Sequence, residues 1–135
     1  MARILALDFG LKRTGIAVTD DLQLIASGLT TVETRNLIEF LQAYFHKENV
    51  ERVLVGEPRR MDDSASGIEA NISEFLIFFE SKFPQMPVER VDERFTSKMA
   101  FQSMIDSGQK KKKRRDKALI DEISATIILQ TWLYK

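Results

Sequence analysis

The sequence predicts an α/β protein with one mixed, five-stranded sheet that is covered by helices on both faces. Three β-prone runs come first and can pair in antiparallel fashion, and strands and helices then alternate in the order βββαβαβαα. The last predicted helix is apolar almost all round, as expected of a helix packed against a sheet. The 135 residues show no internal repeat and no domain boundary, so we expect a single domain over residues 1–135.

Each strand is predicted from a short β-prone run. Residues 3–9 form a nearly unbroken apolar run, and a glycine-containing turn joins it to a second run at residues 14–19, as in a hairpin. A third strand is predicted at residues 24–32. A buried fourth strand follows at residues 52–56, and a fifth at residues 87–92.

Four helices are predicted from apolar side chains that recur every three or four residues. The first begins behind Thr34 as its cap, and the third begins behind Thr96 and ends at Gly108. The fourth covers residues 116–134. The apolar positions of the first three helices are Leu37, Ile38, Leu41, Tyr44 and Phe45, then Ile68, Ile72, Phe75, Leu76, Phe79 and Phe83, and then Met99, Ala100, Met104 and Ile105.

The composition limits the functions that the chain can have. With 44% hydrophobic and 30% charged residues it is typical of a globular protein, and it contains no cysteine. Disulfides, thiolate catalysis and cysteine-ligated zinc are therefore excluded. The apolar runs are too short to cross a membrane, and Asp8 comes too early for a secretory signal. We expect a cytoplasmic protein that has no membrane partner.

The net charge of zero hides a segregation of charge. Residues 110–117 hold seven basic side chains and one acidic one, which leaves 13 basic and 19 acidic side chains in the rest of the chain. Affinity for phosphates depends on a local cluster of cations, not on the total charge. A nucleic-acid partner is therefore compatible with the neutral total.

Three acidic residues lie where an apolar element would disfavour them. Asp8 is near the end of the first strand, Glu93 comes just after the fifth, and Asp121 lies inside the last helix. A buried carboxylate has to be paired, hydrogen-bonded or bound to metal. Three carboxylates that meet at strand ends would form an oxygen site suited to Mg²⁺ or Mn²⁺.

Such a site is typical of phosphodiester hydrolysis. Two ions about 3.5–4 Å apart can activate the attacking water and stabilise the leaving oxygen. This chemistry needs neither cysteine nor histidine, and we expect a solvated or structural role for the single histidine, His46.

Each carboxylate also has a structural interpretation. Asp8 could be a turn residue, Glu93 could belong to a surface ion pair, and Asp121 could be a partly exposed charge near the start of its helix. Helical spacing does not separate Asp121 from Glu122.

Several motifs together resemble the YqgF family, and in order they cover nearly the whole chain. The motif at Asp8 is weak alone, but its combination with the later blocks is specific. The residues that carry the resemblance are Asp8-Phe9-Gly10, Gly15-Ile16-Ala17-Val18, Val55-Gly56-Glu57-Pro58, Met61-Asp62, Asp92-Glu93-Arg94-Phe95-Thr96, and Asp121 ahead of Ala125-Thr126-Ile127-Ile128-Leu129-Gln130.

The resemblance implies an RNase H-like fold related to Holliday-junction resolvases. It implies that Asp8, Glu93 and Asp121 are the catalytic, metal-binding carboxylates, and that the substrate is the precursor of 16S ribosomal RNA. From the residues alone, RNA processing and cleavage of branched DNA cannot be distinguished, because both use the same metal chemistry. A homodimer is compatible with the sequence, which does not determine the oligomeric state.

Two positions depart from the family pattern. Glu57 stands where the family usually has leucine, and Asp63 stands where a glycine is common. The fourth strand of the related junction resolvases ends in a metal-binding glutamate, so Glu57 is a candidate fourth ligand. The alternative is a loop carboxylate paired with Arg59 or Arg60.

We interpret residues 110–117, the basic run, as a loop that binds phosphates beside the site. It connects two predicted helices and directly precedes the helix that carries Asp121. A solubilising tract and a labile linker are the alternatives. No aromatic residue is interleaved with the lysines, which favours recognition of backbone and shape over base stacking. The candidate nucleic-acid-binding residues are Arg59, Arg60, Arg94, Lys98, Lys111, Lys112, Lys113 and Arg114.

Parts of the sequence are also compatible with two other classes of function. The Asp8-Phe9-Gly10 motif ahead of Thr14-Gly15 also resembles the phosphate-binding hairpin of the actin and sugar-kinase superfamily. Those proteins need two such domains to enclose a nucleotide, and this chain has one. A noncatalytic nucleic-acid-binding module is the other class, and the presence of all three carboxylates argues against it.

Overall fold

The computed structural model describes residues 2–58, 67–93 and 117–134. The strands are β1 (Arg3–Asp8), β2 (Arg13–Thr19), β3 (Ala26–Glu33), β4 (Val50–Glu57) and β5 (Val88–Asp92). The helices are a 3₁₀ turn (Thr34–Asn36), α1 (Leu37–Lys47), α2 (Glu69–Lys82) and α3 (Lys117–Leu133). The third predicted helix, behind Thr96, lies outside the described residues.

The five strands form one mixed sheet, as predicted, and their order in the sheet is β3-β2-β1-β4-β5. The pairs β1/β2 and β2/β3 are antiparallel, whereas β1/β4 and β4/β5 are parallel. The carboxyl ends of β1, β4 and β5 therefore lie at the same edge of the sheet, which is where a buried active site forms most readily in open α/β folds.

Helices cover both faces of this sheet, and alternate strand residues divide the core into two clusters. In β1, Leu5 and Leu7 belong to the cluster that includes α1 and α2. Ile4 and Ala6 belong to the cluster that includes α3. The prediction that the last helix packs against the sheet is confirmed, since Ala125, Ile128 and Leu129 of α3 are fully buried there.

The predicted cap at Thr34 is wrong. The residue that caps α1 is Asn36, which makes no side-chain capping bond. The Thr34 hydroxyl instead donates to the carbonyl of Gly10 at 2.6 Å and lies 2.9 Å from the Thr14 hydroxyl. A threonine hydroxyl bonds equally well to a distant loop or to its own helix, so the local pattern could not distinguish the two.

The third strand starts two residues later than predicted. A turn occupies the positions before it, where the Asp20 carboxylate accepts hydrogen bonds from the backbone N–H groups of Leu24 and Ile25 at 2.8 and 2.9 Å. Gln23 has a φ of 58° in this turn. Among the helices of the described residues, none combines the length and the hydropathy needed to cross a membrane.

Candidate active site

Strand alternation places Asp8 on the face that α3 covers. Asp8 has the same orientation as Ala6 in β1, and it is opposite Gly15 of β2 in the antiparallel pair. Because Asp8 is the last residue of β1, its carboxylate lies at the sheet edge formed by the carboxyl ends of the parallel strands. The local sequence thus positions one acid at the junction between the sheet and α3.

Glu93 reaches the same face from β5. It follows Val91 by two residues, and Val91 packs in the α3 cluster. Its backbone N–H donates to the carbonyl of Glu57 at 3.2 Å, which continues the β4/β5 pairing beyond the end of β5. The strand register therefore explains why the Glu93 side chain lies on the face that α3 covers.

Gly56 makes room for the Glu93 side chain. A Cβ at position 56 would collide with the Glu93 carboxylate, whose carboxyl carbon would lie only 2.6 Å away, and with Cδ1 of Ile128 at 2.8 Å. The strand between β1 and β5 is therefore open at the point where Glu93 crosses it. Any side chain at this position would push the carboxylate out of place.

Asp8 and Glu93 are joined by a hydrogen bond between their carboxyl groups. Burial raises the pKa of Glu93 to about 9, and the neighbouring Asp8 charge adds to this rise. Burial also raises the pKa of Asp8 to about 6, although the hydrogen bond from Glu93 opposes the rise. At neutral pH Glu93 is thus protonated, and its O–H group donates a hydrogen bond to the Asp8 carboxylate.

Asp121 is the third carboxylate, and α3 brings it close to Asp8. Its negative charge contributes to the raised pKa of Asp8. The backbone of α3 can approach this closely because Gly15 lies beneath it: a Cβ at position 15 would collide with the Asp121 carbonyl group. The side chain of Asp121 itself forms an ion pair with Arg13, with Nε 3.3 Å from Oδ2.

The three acids are neighbours, but they do not surround a common point. Within residues 2–58, 67–93 and 117–134, no three acidic or histidine side chains are arranged to hold one metal ion. Asp8 and Glu93 face each other, whereas Asp121 faces Arg13. All the acidic donors are oxygens, which are the ligands that Mg²⁺ and Mn²⁺ prefer.

Glu57 lies on the other face of the sheet. Its alternation with Gly56 gives it the orientation of Val55 and Val53, which pack in the α1 and α2 cluster. The structure therefore does not bring Glu57 together with the Asp8 and Glu93 pair. The basic candidates Arg59, Arg60, Arg94, Lys98, Lys111, Lys112, Lys113 and Arg114 lie outside the described residues.

Sequence reasoning missed two arginines near the site. Besides Arg13, Arg90 forms a bidentate pair with Glu69 at 2.6 and 3.0 Å and donates to the carbonyls of Val55 and Gly56 at 3.3 and 3.0 Å. It ties the end of β4, where Gly56 accommodates Glu93, to the first turn of α2. No spacing pattern marks either residue, because both contacts join distant parts of the chain.

The sheet order, the acidic strand ends and the helix behind them define an RNase H-like nuclease fold of the resolvase type. The chain belongs to the RuvX family, described as Holliday junction resolvase, whose family model matches residues 2–135. This is the YqgF family of the sequence resemblance, which is confirmed. The assignment places the chain in a family of nucleases.

The similar proteins agree with this assignment over the whole chain. A protein of Christiangramia forsetii is 75% identical over 135 residues, covers both chains completely and is named as a candidate pre-16S rRNA nuclease. A protein of Bacteroides thetaiotaomicron with the same name is 56% identical over 133 residues, which are 98% of this chain and 96% of the relative.

Two solved structures share the fold at low sequence identity. The Fowlpox virus resolvase in complex with Holliday junction DNA has a TM-score of 0.63 and 13% identity over 98% of this chain and 97% of that one. The RuvC of T. thermophilus in complex with a Holliday junction substrate has a TM-score of 0.57 and 17% identity over 99% and 94%. The predicted fold class is therefore confirmed.

Proposed function

We propose that this protein is a metal-dependent nuclease that hydrolyses phosphodiester bonds in structured nucleic acid, with the precursor of 16S rRNA as its substrate. The observation that carries the proposal is the hydrogen-bonded carboxyl pair of Asp8 and Glu93, with Asp121 beside it. Placing two desolvated acids together is unfavourable without a compensating cation. Such a pair in a family of nucleases supports a catalytic role.

The carboxylate oxygens of Asp8, Glu93 and Asp121 are the kind of ligand that Mg²⁺ and Mn²⁺ prefer, although the described residues do not arrange three of them around one ion. Asp8 and Glu93 share a proton, and Gly56 leaves the space beside them open. A cation that replaced the proton would relieve the repulsion between the two carboxylates. We propose that Asp8, Glu93 and Asp121 hold the metal, and we leave Glu57 out because of its orientation. When bound, the metal would supply an activated water and charge stabilisation at the phosphate.

The other residues of the chain keep this site in order. Because Gly56 has no side chain, Glu93 can reach Asp8 across β4. Because Gly15 has none, the backbone of α3 at Asp121 can pack directly on the sheet. Arg90 fixes the carbonyl of Gly56. These contacts fix the backbone next to the acids, which limits how far the separation of the acids can vary.

The choice of ribosomal RNA rests on the relatives. Proteins named for this activity are 75% and 56% identical to the chain along almost its entire length. The same proposal places the protein in the cytoplasm, where bacterial ribosomal RNA is made.

Branched DNA is the second candidate substrate. It is favoured by the description of the family and by the two solved resolvases with junction DNA. Symmetric cleavage of a four-way junction requires two active sites, so a homodimer belongs to this candidate.

Cleavage assays on both substrates test the proposal. A fragment of the 16S precursor and a four-way DNA junction are incubated with the protein and either Mg²⁺ or Mn²⁺. We expect the RNA fragment to be cleaved, and Asp8→Asn to slow cleavage by about a thousandfold or more, since several kcal/mol of transition-state stabilisation would be lost. The control Glu39→Gln removes an exposed carboxylate of α1 and should retain full activity.

Each other outcome has a definite meaning. Cleavage of the junction alone would make branched DNA the substrate. If neither nucleic acid is cut, or if Asp8→Asn cuts as fast as the unchanged protein while folded, the proposed function is wrong.

A further inference from the structure

A pocket with a volume of about 480 Å³ lies beside the candidate active site. It is lined by Leu11, Lys12, Arg13, Glu33 and Arg35. These residues belong to the loop between β1 and β2, to the start of β2 and to the end of β3 with the turn that follows it. The pocket is therefore contiguous with the strand that carries Asp8.

Hydrogen bonds hold the walls of this pocket together. Thr34 donates its hydroxyl to the Gly10 carbonyl at 2.6 Å and its backbone N–H to the Lys12 carbonyl at 2.9 Å. Both bonds tie the β1/β2 loop to the end of β3. The basic side chains thus project from a backbone that is fixed on two sides.

The pocket is basic. It has three cationic side chains and one carboxylate, and that carboxylate, Glu33, is already paired with Arg35 at 2.6 Å. Lys12 has no ion-pair partner among the residues that the structure describes. The excess of positive charge suits an anionic ligand.

Arg13 connects the pocket to the acids. It has the same orientation as Gly15, the residue opposite Asp8, and so lies on the α3 face with the carboxylates. Arg13 lines the pocket, and its guanidinium pairs with Asp121. One side chain therefore belongs to the basic pocket and to the proposed metal site.

The pair between Arg13 and Asp121 is of a kind that contributes little to stability. A single contact of 3.3 Å joins the two groups, and their side chains are 40% and 27% exposed. The Arg90 and Glu69 pair is different, because it is bidentate, 23% exposed on each side and supported by two carbonyls. Partly exposed single contacts are worth about 1 kcal/mol or less, so Arg13 can exchange its partner easily.

We propose that this pocket binds a phosphate of the nucleic-acid backbone next to the cleavage site, and that Arg13 leaves Asp121 for that phosphate when Asp121 binds a divalent cation. The inference rests on the proposed function and extends it. An arginine that leaves a carboxylate can form the same forked hydrogen bonds with a phosphate. In this way the binding of metal and the binding of substrate favour each other.

The test compares Arg13→Gln with Lys12→Gln, which removes the same charge from the same pocket without touching Asp121. Mn²⁺ affinity is measured by calorimetry without nucleic acid. Affinity for a short RNA duplex and a short DNA duplex is measured by fluorescence anisotropy without divalent cations at several salt concentrations. Lys47→Gln, at the end of α1, is the control for a distant charge.

Arg13→Gln should raise Mn²⁺ affinity by up to about fivefold, because a competitor of the metal for Asp121 is gone. Lys12→Gln should change it far less, since a charge without direct contact is screened at physiological salt. For nucleic acid, Lys12→Gln should flatten the slope of log affinity against log salt by about 0.9, the value of one duplex phosphate contact. Lys47→Gln should change neither quantity.

Asp121→Asn provides a second test that does not depend on Arg13→Gln being well folded. Without its partner, Arg13 should bind phosphate even in metal-free buffer, so duplex affinity should rise. In a double-mutant cycle, Arg13→Gln should cost more duplex affinity in the Asp121→Asn background than in the unchanged protein.

The inference is overturned if Arg13→Gln leaves Mn²⁺ affinity unchanged, or if the double-mutant cycle shows no coupling. Equal results with the two duplexes would show that the pocket recognises only the phosphate backbone. None of these measurements requires cleavage, so a protein that binds as described but cuts no substrate would refute the proposed function alone.

Discussion

Glu93 donates a hydrogen bond to Asp8 across β4, although the strands that carry these two acids are not neighbours in the sheet. The contact exists because β4 has a glycine at the crossing point, with Glu93 directly over Gly56. The geometry of the acid pair therefore depends on a residue that has no functional group.

We expect Gly56→Ala to disrupt the site. The added methyl group would meet the Glu93 carboxyl carbon at 2.6 Å and Ile128 at 2.8 Å, so Glu93 has to move away from Asp8. Overpacking of this kind costs about 1–3 kcal/mol, and metal-dependent cleavage should fall with it. Urea unfolding and single-turnover cleavage measure the two effects.

Gly67→Ala is the matched control for this change. A Cβ at position 67 would meet nothing within 4 Å, so both stability and cleavage should be retained. Equal behaviour of the two variants would show that the crossing point tolerates a side chain.

The stability of the metal-free protein should fall as the pH rises from about 4 to about 9. The ordinary pKa values of Asp8 and Glu93 are 3.8 and 4.5, and the folded protein raises them to about 6 and about 9. Between these limits the folded state binds more protons than the unfolded state, so deprotonation favours unfolding. We therefore expect the free energy of unfolding to decrease steadily across this pH range.

Urea unfolding in EDTA at several pH values measures this slope. Glu93→Gln removes the group with the larger shift and should flatten it, and Mg²⁺ or Mn²⁺ should restore stability at high pH because the cation replaces the proton. Stability that rises with pH in EDTA would contradict the shared proton.

Glu57→Leu should leave metal affinity and cleavage unchanged. Glu57 has the orientation of Val55, on the face opposite Asp8, and leucine at this position is the residue usual in the family. Calorimetry with Mn²⁺ and a cleavage assay test this. A loss comparable with that of Asp8→Asn would make Glu57 a ligand.

We predict that the basic run governs substrate affinity and not the chemical step. Neutral replacements of Lys111, Lys112, Lys113 and Arg114 should flatten the salt slope of binding by roughly two to four units, because some of these side chains will not contact phosphate. Single-turnover cleavage at saturating substrate should change little. An unchanged slope would assign the run to solubility, and lost cleavage with a normal slope would assign it to positioning the phosphate.

The order of the elements could be predicted because it is recorded in local patterns. The strand at residues 3–9 follows from a nearly unbroken apolar run, and the face of α2 follows from apolar residues that recur every three to four positions. The positions of the three acids at strand ends and on α3 could also be read from the chain. The contact between Asp8 and Glu93 could not be predicted, because it crosses β4 at Gly56 and the sequence does not show that β4 lies between β1 and β5.

The ion pair between Arg13 and Asp121 could not be predicted from the sequence either. Arg13 reaches Asp121 only because α3 packs on β2 at Gly15, and the two residues are 108 positions apart. No local spacing encodes that contact. Thr34 is the opposite case, because its helix-capping pattern is present and a loop carbonyl takes the hydroxyl instead.

The long separation between Arg13 and Asp121 also has a consequence for the order of events during synthesis. The β1/β2 hairpin emerges from the ribosome first, but its aspartate meets no other acid until β5 and then α3 have been translated and have docked. Contacts of such high sequence separation form late in folding. If Asp8, Glu93 and Asp121 are the catalytic acids, as proposed, a nascent chain has a complete site only after α3 has been translated and has docked.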